Sequence, residues 1–361
     1  MSIRPRRSLL NPKLTRPNAL ESQPRDRGLL WLDKNENLDP ELNGLAHRIL
    51  NDIEPVHIAS YPELSELYRK TAKWVGVSPE ALLITPGSDG AIRMVFEAFV
   101  EHGDSVIYPN PTFAMYQVYA QMFGARESIV QYQYSENGPA LNVEQLKELL
   151  RLEKPKIFCL PNPDSPTGTV LSQNDLKDLL TICEEVGAVF LLDEAYYPFF
   201  EWSGVHWTQR SRNLIIARTF AKAWGAAGMR IGYLVGHPDT ISLIHKMRPM
   251  YELGTVSIEF MVRMLDHIDV MQSSVDKINE GKIYFATEMS SLGFKVLATE
   301  GNFVHVAFGV AGSLVSKALA NKVLYRQSFN HPSLEGISRF TIAPKEKMEC
   351  VVELIKRALD Y

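Results

Sequence analysis

The sequence predicts an α/β protein whose central sheet is mainly parallel. Short apolar runs that suit buried strands alternate along the chain with longer segments in which apolar residues recur at helical spacing. Several of the strand-like runs end in a turn or in polar residues, which is how functional groups are placed along one edge of a parallel sheet. A chain of 361 residues has room for one large domain and a smaller companion.

The composition is that of an ordinary soluble globular protein, with 45% hydrophobic and 22% charged residues. A formal net charge of −4 argues against nucleic acid as a partner. No apolar run reaches the roughly 18 residues of a membrane span. The three cysteines, Cys159, Cys183 and Cys350, are widely spaced and show no metal-binding pattern. We therefore expect reduced thiols, a cytoplasmic protein and no metal site.

The predicted strands of the first two thirds of the chain are short apolar segments, namely Leu82–Thr85, Ser105–Tyr108, Lys156–Leu160, Ala188–Leu192, Asn213–Ala217 and Ile231–Gly236. Helices are predicted around and between them, at Glu63–Val75, Ala91–Val100, Thr112–Phe123, Asn142–Leu152, Gln173–Val186 and Asp239–Met247. Ser172 is placed to cap the helix that begins at Gln173.

The last third of the chain is predicted to begin with a mostly helical connection, Ser257–Leu292. Strands then follow at Phe294–Leu297, Asn302–Phe308 and Ser338–Ile342, and helices at Ala311–Asn321 and Lys345–Leu359. At the other end, residues 1–27 are rich in arginine and interrupted by proline. We interpret them either as an arm that packs on a partner subunit or as a disordered segment.

A possible anion site lies where the strand Leu82–Thr85 turns into a helix. The turn reads Pro-Gly-Ser-Asp-Gly at Pro86–Gly90. Backbone N–H groups at the start of a helix are free to bind an anion, and the helix dipole favours negative charge there. We expect Ser88 and the amide of Asp89 to form this site.

Lys222 is the candidate for amine chemistry. It follows the strand-like run Asn213–Ala217, lies among small residues, and has no charged neighbour within three positions. Crowding and desolvation lower a lysine pKa and expose the nucleophilic amine, although a lone lysine is more commonly a surface residue. Two other strand-like runs also end in functional groups, at Asp193–Tyr196 and at Pro161–Gly168. Three such ends predict one site at one edge of the sheet.

Together these motifs resemble the pyridoxal-phosphate enzymes of the aspartate aminotransferase fold (class I and II, fold type I), and within them most closely the histidinol-phosphate aminotransferases. The resemblance rests on the order Asn-Pro-x-x-Pro-Thr-Gly, Asp-Glu-Ala-Tyr, then Thr-x-x-Lys-x-x-Gly-x-x-Gly-x-Arg-x-Gly-Tyr. It extends over nearly the whole chain through Trp31–Glu36, Tyr61–Glu63, Pro86–Gly90, Pro111–Tyr116 and Ser338–Ala343.

The resemblance implies a large domain with a mostly parallel seven-stranded sheet flanked by helices, and a small α+β domain. It places an N-terminal arm and part of the small domain at 1–44, the large cofactor-binding domain at 45–248, and a connecting helix with the rest of the small domain at 249–361. It also implies a homodimer with a shared active site, in which Tyr61 reaches the cofactor phosphate of the other subunit.

The resemblance further implies a role for each matching residue. Lys222 would bind pyridoxal 5′-phosphate covalently and act as general base, Asp193 would keep the pyridine nitrogen protonated, and Tyr196 would bind the phenolate oxygen. The other implied cofactor contacts are Ser88, Asp89, Phe113 (stacked on the ring), Asn162, Ser165, Thr219 and Arg230. Arg339 would bind the substrate carboxylate, and Arg326 a phosphate or carboxylate on the substrate side chain.

Three residues depart from the family pattern. Ser165 stands where an asparagine usually binds the phenolate oxygen, and Ala221 stands where a serine usually contacts the phosphate. Gly90 stands where the most similar relatives have glutamate. The first departure bears on how the cofactor ring is tuned, and therefore on the type of reaction.

The predicted function is transfer of an amino group between an amino acid, or a phosphorylated amino compound such as histidinol phosphate, and a 2-oxo acid. A decarboxylase of a phosphorylated amino acid is the alternative on the same scaffold, and the motifs do not separate the two. A non-catalytic ligand-binding relative is less favoured, because the reactive set is complete. A nicotinamide-binding enzyme is disfavoured, since no Gly-x-Gly-x-x-Gly follows a strand.

Overall fold

The computed structural model describes residues 4–15, 24–297 and 299–359. The predicted N-terminal arm therefore lies partly outside the described residues, at 1–3 and 16–23. The strands are β1 Leu30–Leu32, β2 Leu82–Thr85, β3 Ser105–Asn110, β4 Arg126–Gln131, β5 Ile157–Pro161, β6 Val189–Asp193, β7 Leu214–Thr219, β8 Gly232–Gly236, β9 Lys295–Leu297, β10 Phe303–Ala307, β11 Val323–Tyr325 and β12 Ile337–Thr341.

The α-helices lie between the strands and at the end of the chain. They are α1 Pro40–Asn51, α2 Val56–Ala59, α3 Ser65–Val75, α4 Gly87–Phe99, α5 Met115–Phe123, α6 Val143–Glu153, α7 Gln173–Val186, α8 Pro238–His245, α9 Thr255–Met264, α10 Ile268–Ser291, α11 Gly312–Leu319 and α12 Lys345–Ala358. The predicted cap of α7 forms, because the Ser172 hydroxyl accepts the Asp175 N–H at 3.1 Å. Among the described residues, no helix combines the length and apolar character that a membrane crossing requires.

Seven strands form the central sheet, in the order β2-β8-β7-β6-β5-β3-β4. β8 is antiparallel to both of its neighbours, and the remaining pairs are parallel. Six strands therefore run in the same direction and end at one edge of the sheet, where β8 begins. The predicted α/β fold with a mostly parallel seven-stranded sheet is confirmed.

The remaining strands form two smaller sheets. β12, β10 and β9 form an antiparallel sheet, and β1 pairs in parallel with β11. The second pairing, which aligns Leu30 with Val323, attaches the N-terminal segment to the C-terminal part of the chain. The domain boundaries at 44 and 248 stay a prediction.

Several elements differ from the sequence prediction. The turn predicted at Pro86–Gly90 is already helical, because α4 begins at Gly87. β4 was not predicted: it is an edge strand that reads Arg-Glu-Ser-Ile-Val-Gln, in which only Val130 is buried, so it lacks the apolar run of a buried strand. β1 and β11 were also missed, since three residues each are too few to show a pattern.

Candidate active site

A cavity of about 460 Å³ lies at the edge of the sheet where the six parallel strands end. This position follows from the topology, since residues that come directly after β2, β5, β6 and β7 meet there with residues that precede β8. The cavity is lined by most of the residues predicted from the sequence, namely Ser88, Asp89, Phe113, Ser165, Asp193, Tyr196, Thr219, Lys222, Arg230, Arg326 and Arg339.

Lys222 lies three residues after the end of β7, with its side chain half-buried. Its Nζ donates a hydrogen bond to the Lys34 carbonyl oxygen at 2.7 Å. The pKa of Lys222 is lowered to about 8, chiefly by burial and also by the positive charges of Arg339 and Arg230, while Glu36 and Asp193 oppose the shift. The amine is therefore more available as a nucleophile and base near neutral pH than an exposed lysine would be.

Asp193 is the last residue of β6, and its side chain is buried. Each carboxylate oxygen accepts one hydrogen bond: Oδ1 from the Ala195 N–H at 3.0 Å, and Oδ2 from the Tyr116 hydroxyl at 2.9 Å. Burial raises the pKa of Asp193 to about 6, against the opposing effect of these two bonds. A buried carboxylate of this kind is stabilised by a cationic group placed beside it.

Tyr116 was not assigned a role from the sequence, although it lies in the quoted run Pro111–Tyr116. Its side chain is fully buried on α5, and burial holds the pKa of its hydroxyl well above the ordinary value. The hydroxyl therefore stays protonated and always donates to Asp193. A tyrosine at a helical position is more commonly a core residue, so the sequence carried no signal for this contact.

Tyr196 is also buried, and its hydroxyl accepts a hydrogen bond from Asn35 Nδ2 at 2.7 Å. Asn35 itself has a positive φ of 57° and is anchored through its backbone N–H, which donates to the Thr341 hydroxyl at 2.9 Å. Asparagine tolerates this backbone region better than most residues. Asn35 lies in the quoted run Trp31–Glu36, and its bond to Tyr196 was not predicted from the sequence.

The start of α4, where the sequence predicts an anion site, lies against Arg230. Arg230 has a positive φ of 54°, and its guanidinium packs so closely on Gly87 that an added Cβ there would lie 2.8 Å from Nη2. A Cβ on Gly232 would lie 2.6 Å from the Ser88 nitrogen. The two glycines therefore let β8 and Arg230 approach the helix N-terminus, where Thr219 also lines the cavity.

Arg339 lies on β12 and reaches the cavity from the three-stranded sheet. Its Nη2 donates to the Asp33 carbonyl oxygen at 2.8 Å, and its Nη1 donates to the Ser165 hydroxyl at 3.3 Å. Burial lowers the pKa of its guanidinium below the ordinary value. Arg326 pairs with Arg339 through the backbone, and its exposed side chain donates to the Ser328 carbonyl oxygen at 3.1 Å. The two arginines thus place positive charge at the cavity from the same sheet edge.

Two predicted contacts lie outside the cavity lining. Asn162 is only 2% exposed, and its Oδ1 accepts the Leu171 N–H at 2.8 Å, so this side chain holds the following turn rather than facing the cavity. Tyr61 is 75% exposed and stacks on Tyr251, with ring centroids 4.4 Å apart. A contact from Tyr61 to a cofactor would need a second subunit.

The three departures from the family pattern have different surroundings. Ser165 and Ala221 line the cavity, and Ser165 contacts Arg339 directly. Gly90 lies outside the lining, and an added Cβ there would lie 2.9 Å from Pro86 Cδ. A side chain at Gly90 is therefore incompatible with the present position of Pro86.

Comparison with known proteins identifies the family. A model of the family described as aminotransferase class I and II matches residues 27–355. The chain belongs to this family. The resemblance predicted from the motifs is thereby confirmed, and with it the prediction of an aminotransferase.

Individual relatives agree with this assignment. A histidinol-phosphate aminotransferase of Caldanaerobacter subterraneus subsp. tengcongensis is 30% identical over 314 residues, which are 85% of this chain and 86% of that protein. The structure of histidinol-phosphate aminotransferase from Sinorhizobium meliloti, in complex with pyridoxal 5′-phosphate, matches with a TM-score of 0.78 at 22% identity, over 92% of this chain and 91% of that chain. L-threonine-O-3-phosphate decarboxylase from Porphyromonas gingivalis matches with a TM-score of 0.75 at 21% identity, over 92% and 100%. The two structures share the fold with this aminotransferase.

Proposed function

We propose that this aminotransferase uses pyridoxal 5′-phosphate to transfer an amino group between an amino acid, or a phosphorylated amino compound such as histidinol phosphate, and a 2-oxo acid. One observation carries the proposal: Lys222, Asp193, Tyr196, Arg230 and Arg339 line the same cavity. The names of the relatives at about 30% identity support the phosphorylated donor.

The residues present fit pyridoxal phosphate. Its phosphate suits the start of α4, where Gly87 and Gly232 leave room for the Arg230 guanidinium beside Ser88. Its pyridinium nitrogen suits the buried carboxylate of Asp193, and its aldehyde suits the Lys222 amine. When bound, the cofactor supplies an electron sink for the bond that breaks at the substrate carbon. Phe113 lines the same cavity and offers an aromatic face to the ring.

Each side chain then has a defined task. The Asp193 carboxylate would hold a proton on the pyridine nitrogen of the cofactor. The Tyr196 hydroxyl, oriented by Asn35, would donate to the phenolate oxygen. Arg339 binds the substrate carboxylate with the fork of its guanidinium. The Lys222 amine, whose pKa is lowered to about 8, removes and returns the proton at the substrate carbon.

We also propose a homodimer in which Tyr61 acts across the subunit interface. Tyr61 lies among exposed apolar side chains on two adjoining segments, where Ile58 is 78% and Met250 is 74% exposed, and its ring stacks on Tyr251. An apolar surface around a ring that should contact a cofactor suits a second copy of this chain. Sedimentation equilibrium tests this directly, and a monomer at micromolar concentration would overturn it.

The cytoplasmic location also stays a proposal. It is supported by the cysteines, which are free: Cys159 and Cys183 are buried and Cys350 is exposed. Their free state is consistent with a reducing compartment.

The decisive experiment is an absorbance spectrum of the purified protein before and after anaerobic addition of single amino acids or histidinol phosphate. Loss of the cofactor band with formation of a keto product, reversed by a 2-oxo acid, is the expected result. Release of carbon dioxide, with no reversal by a 2-oxo acid, would establish the decarboxylase instead. This outcome is worth measuring because Ser165 stands where the family usually has asparagine.

Lys222→Ala and Lys34→Ala provide a matched pair for the attachment site. Both lysines line the cavity, but the Lys34 contact to Lys222 uses its backbone oxygen, which alanine keeps. After borohydride reduction, peptide mass spectrometry should find the cofactor on Lys222 in the parent protein and in Lys34→Ala, and nowhere in Lys222→Ala. Wild-type amino transfer by Lys222→Ala would refute the mechanism.

A further inference from the structure

The first three residues of the segment Asp33–Glu36 line the cavity and contact its functional side chains. The Asp33 carbonyl oxygen accepts from Arg339 at 2.8 Å, and the Lys34 carbonyl oxygen accepts from Lys222 at 2.7 Å. These contacts are made by successive peptide units, and the next residue in the segment donates from its side chain to Tyr196 at 2.7 Å. We call Asp33–Glu36 the positioning segment.

The positioning segment is held from its other side by Arg25. The Arg25 guanidinium donates to Asp33 Oδ1 at 2.9 Å and forms two parallel bonds of 2.7 Å with the Glu36 carboxylate. It also lies over the Trp31 ring, 4.0 Å from the ring centroid. Bidentate bonds between arginine and carboxylate fix direction as well as distance. Arg25 therefore ties together both ends of the segment at a half-buried site.

We propose that Arg25 is a positioning residue for the reaction, because its bonds to Asp33 and Glu36 hold the segment that orients Arg339, Lys222 and Tyr196. Arg25 does not itself line the cavity, so it acts on the three side chains through the positioning segment. The catalytic tasks of Arg339, Lys222 and Tyr196 rest on the proposed function. The bonds from Arg25 to the positioning segment do not depend on it.

Arg25 also affects the pKa of Lys222 through its ion pair with Glu36. The groups facing the Lys222 amine are Arg339 and Arg230, which lower its pKa, and Glu36 and Asp193, which raise it. Arg25 neutralises Glu36 and holds the pKa of that carboxyl below its ordinary value. Loss of the Arg25 charge leaves Glu36 uncompensated and opens the segment to water, and both changes raise the pKa of Lys222.

The test compares Arg25→Met with Arg27→Met in the full chain. Methionine keeps an apolar stem on Trp31 and removes the cation; Arg27 is an exposed arginine two residues away, so its variant has the same change in net charge. In the cofactor-free protein, acetic anhydride is applied across a pH series, and acetylation of Lys222 is followed by peptide mass spectrometry. Because only the neutral amine reacts, this rate reports the pKa of Lys222.

Arg25→Met should move the Lys222 profile to higher pH, and a shift of about one unit slows acetylation roughly tenfold at lower pH. Arg27→Met should leave the profile unchanged. Glu36→Gln should move it to lower pH, and Arg25→Met should have a smaller effect on top of Glu36→Gln, because the two residues act through one bond. In the cofactor-loaded enzyme, kcat should fall on the order of tenfold in Arg25→Met and recover partly in Arg25→Lys.

The proposal is overturned if folded Arg25→Met keeps the parent Lys222 profile, or if Arg27→Met shifts it equally. If Arg25→Met does not fold, Arg25→Lys and Glu36→Gln decide through the same profile, and an unchanged profile in both also overturns the proposal. Failure of the proposed function is seen separately, as a parent protein that transfers no amino group, and it leaves the acetylation result intact.

Discussion

The hydrogen bond from Tyr116 to Asp193 makes a quantitative prediction about cofactor binding. Tyr116→Phe removes one hydroxyl from a fully buried site and keeps the ring. The lost bond, 2.9 Å long, stabilises the charged form of Asp193. A hydrogen bond to a charged group contributes about 1.5–3 kcal/mol, which corresponds to roughly one to two pKa units. The pKa of Asp193, already raised to about 6 by burial, should rise by that amount.

The consequence depends on pH. Below its pKa, Asp193 is protonated and must lose its proton before it can pair with a pyridinium nitrogen, so affinity for pyridoxal phosphate falls as the pH is lowered. In Tyr116→Phe this fall should begin one to two pH units higher than in the parent, by the shift estimated above. At pH 6 the Kd should therefore be on the order of tenfold higher than in the parent, whereas at pH 8 the two proteins should be closer.

The assay is titration of the cofactor-free protein with pyridoxal phosphate over a pH series. Tyr108→Phe is the control, because Tyr108 is a buried tyrosine whose hydroxyl donates to Glu127 and not to Asp193. The control should keep the parent pH dependence of Kd. A folded Tyr116→Phe protein whose Kd follows the parent curve at every pH would refute the assignment of Tyr116.

Two further predictions use the same site. Because the folded-state pKa of Asp193 is raised to about 6, protonated Asp193 stabilises the folded protein. This stabilisation is complete below the unfolded-state pKa of about 4 and is lost as the pH rises through 6, which lowers the free energy of unfolding by about 3 kcal/mol. Chemical denaturation of cofactor-free Asp193→Asn should lack this loss, and the same pH dependence in the variant and the parent would contradict the prediction. Gly87→Ala should raise the Kd for pyridoxal phosphate, because φ at Gly87 is 73° and the new Cβ would lie 2.8 Å from the Arg230 guanidinium. Gly76→Ala is the control: Gly76 has a similar φ of 80° but open space around the Cβ, so this variant should lose about 1–2 kcal/mol of stability without a change in that Kd. Equal Kd values for the two variants would argue against the Arg230 contact.

Much of the site was predictable because its residues follow strands. Asp193 ends β6 and Lys222 lies just beyond β7, and each strand is a continuous apolar run that is visible in the sequence. Parallel strands end at one edge, so the chemistry at those ends had to converge. Arg339 was assigned from its motif rather than from its local pattern, since an arginine on a strand has many possible roles.

Other assignments needed the folded chain. Asn162 lies in the same motif as Ser165, yet its side chain binds Leu171 and leaves the cavity to its neighbours. The path of the turn decides which side chain faces inward, and a motif does not specify that path. The edge strand β4 was also missed, because only two of its residues, Ile129 and Val130, are apolar and they form no apolar run.

The sequence by itself determined the α/β class and the family, and it predicted the reactive residues, because apolar periodicity and the residues at strand ends are local properties of the chain. Only the tertiary structure decided which distant groups support those residues. Asn35 and Tyr196 are 161 positions apart, and Tyr116 and Asp193 are 77 positions apart. Such contacts depend on how the sheet orders its strands and on how the N-terminal segment crosses the cavity, and no local pattern encodes either.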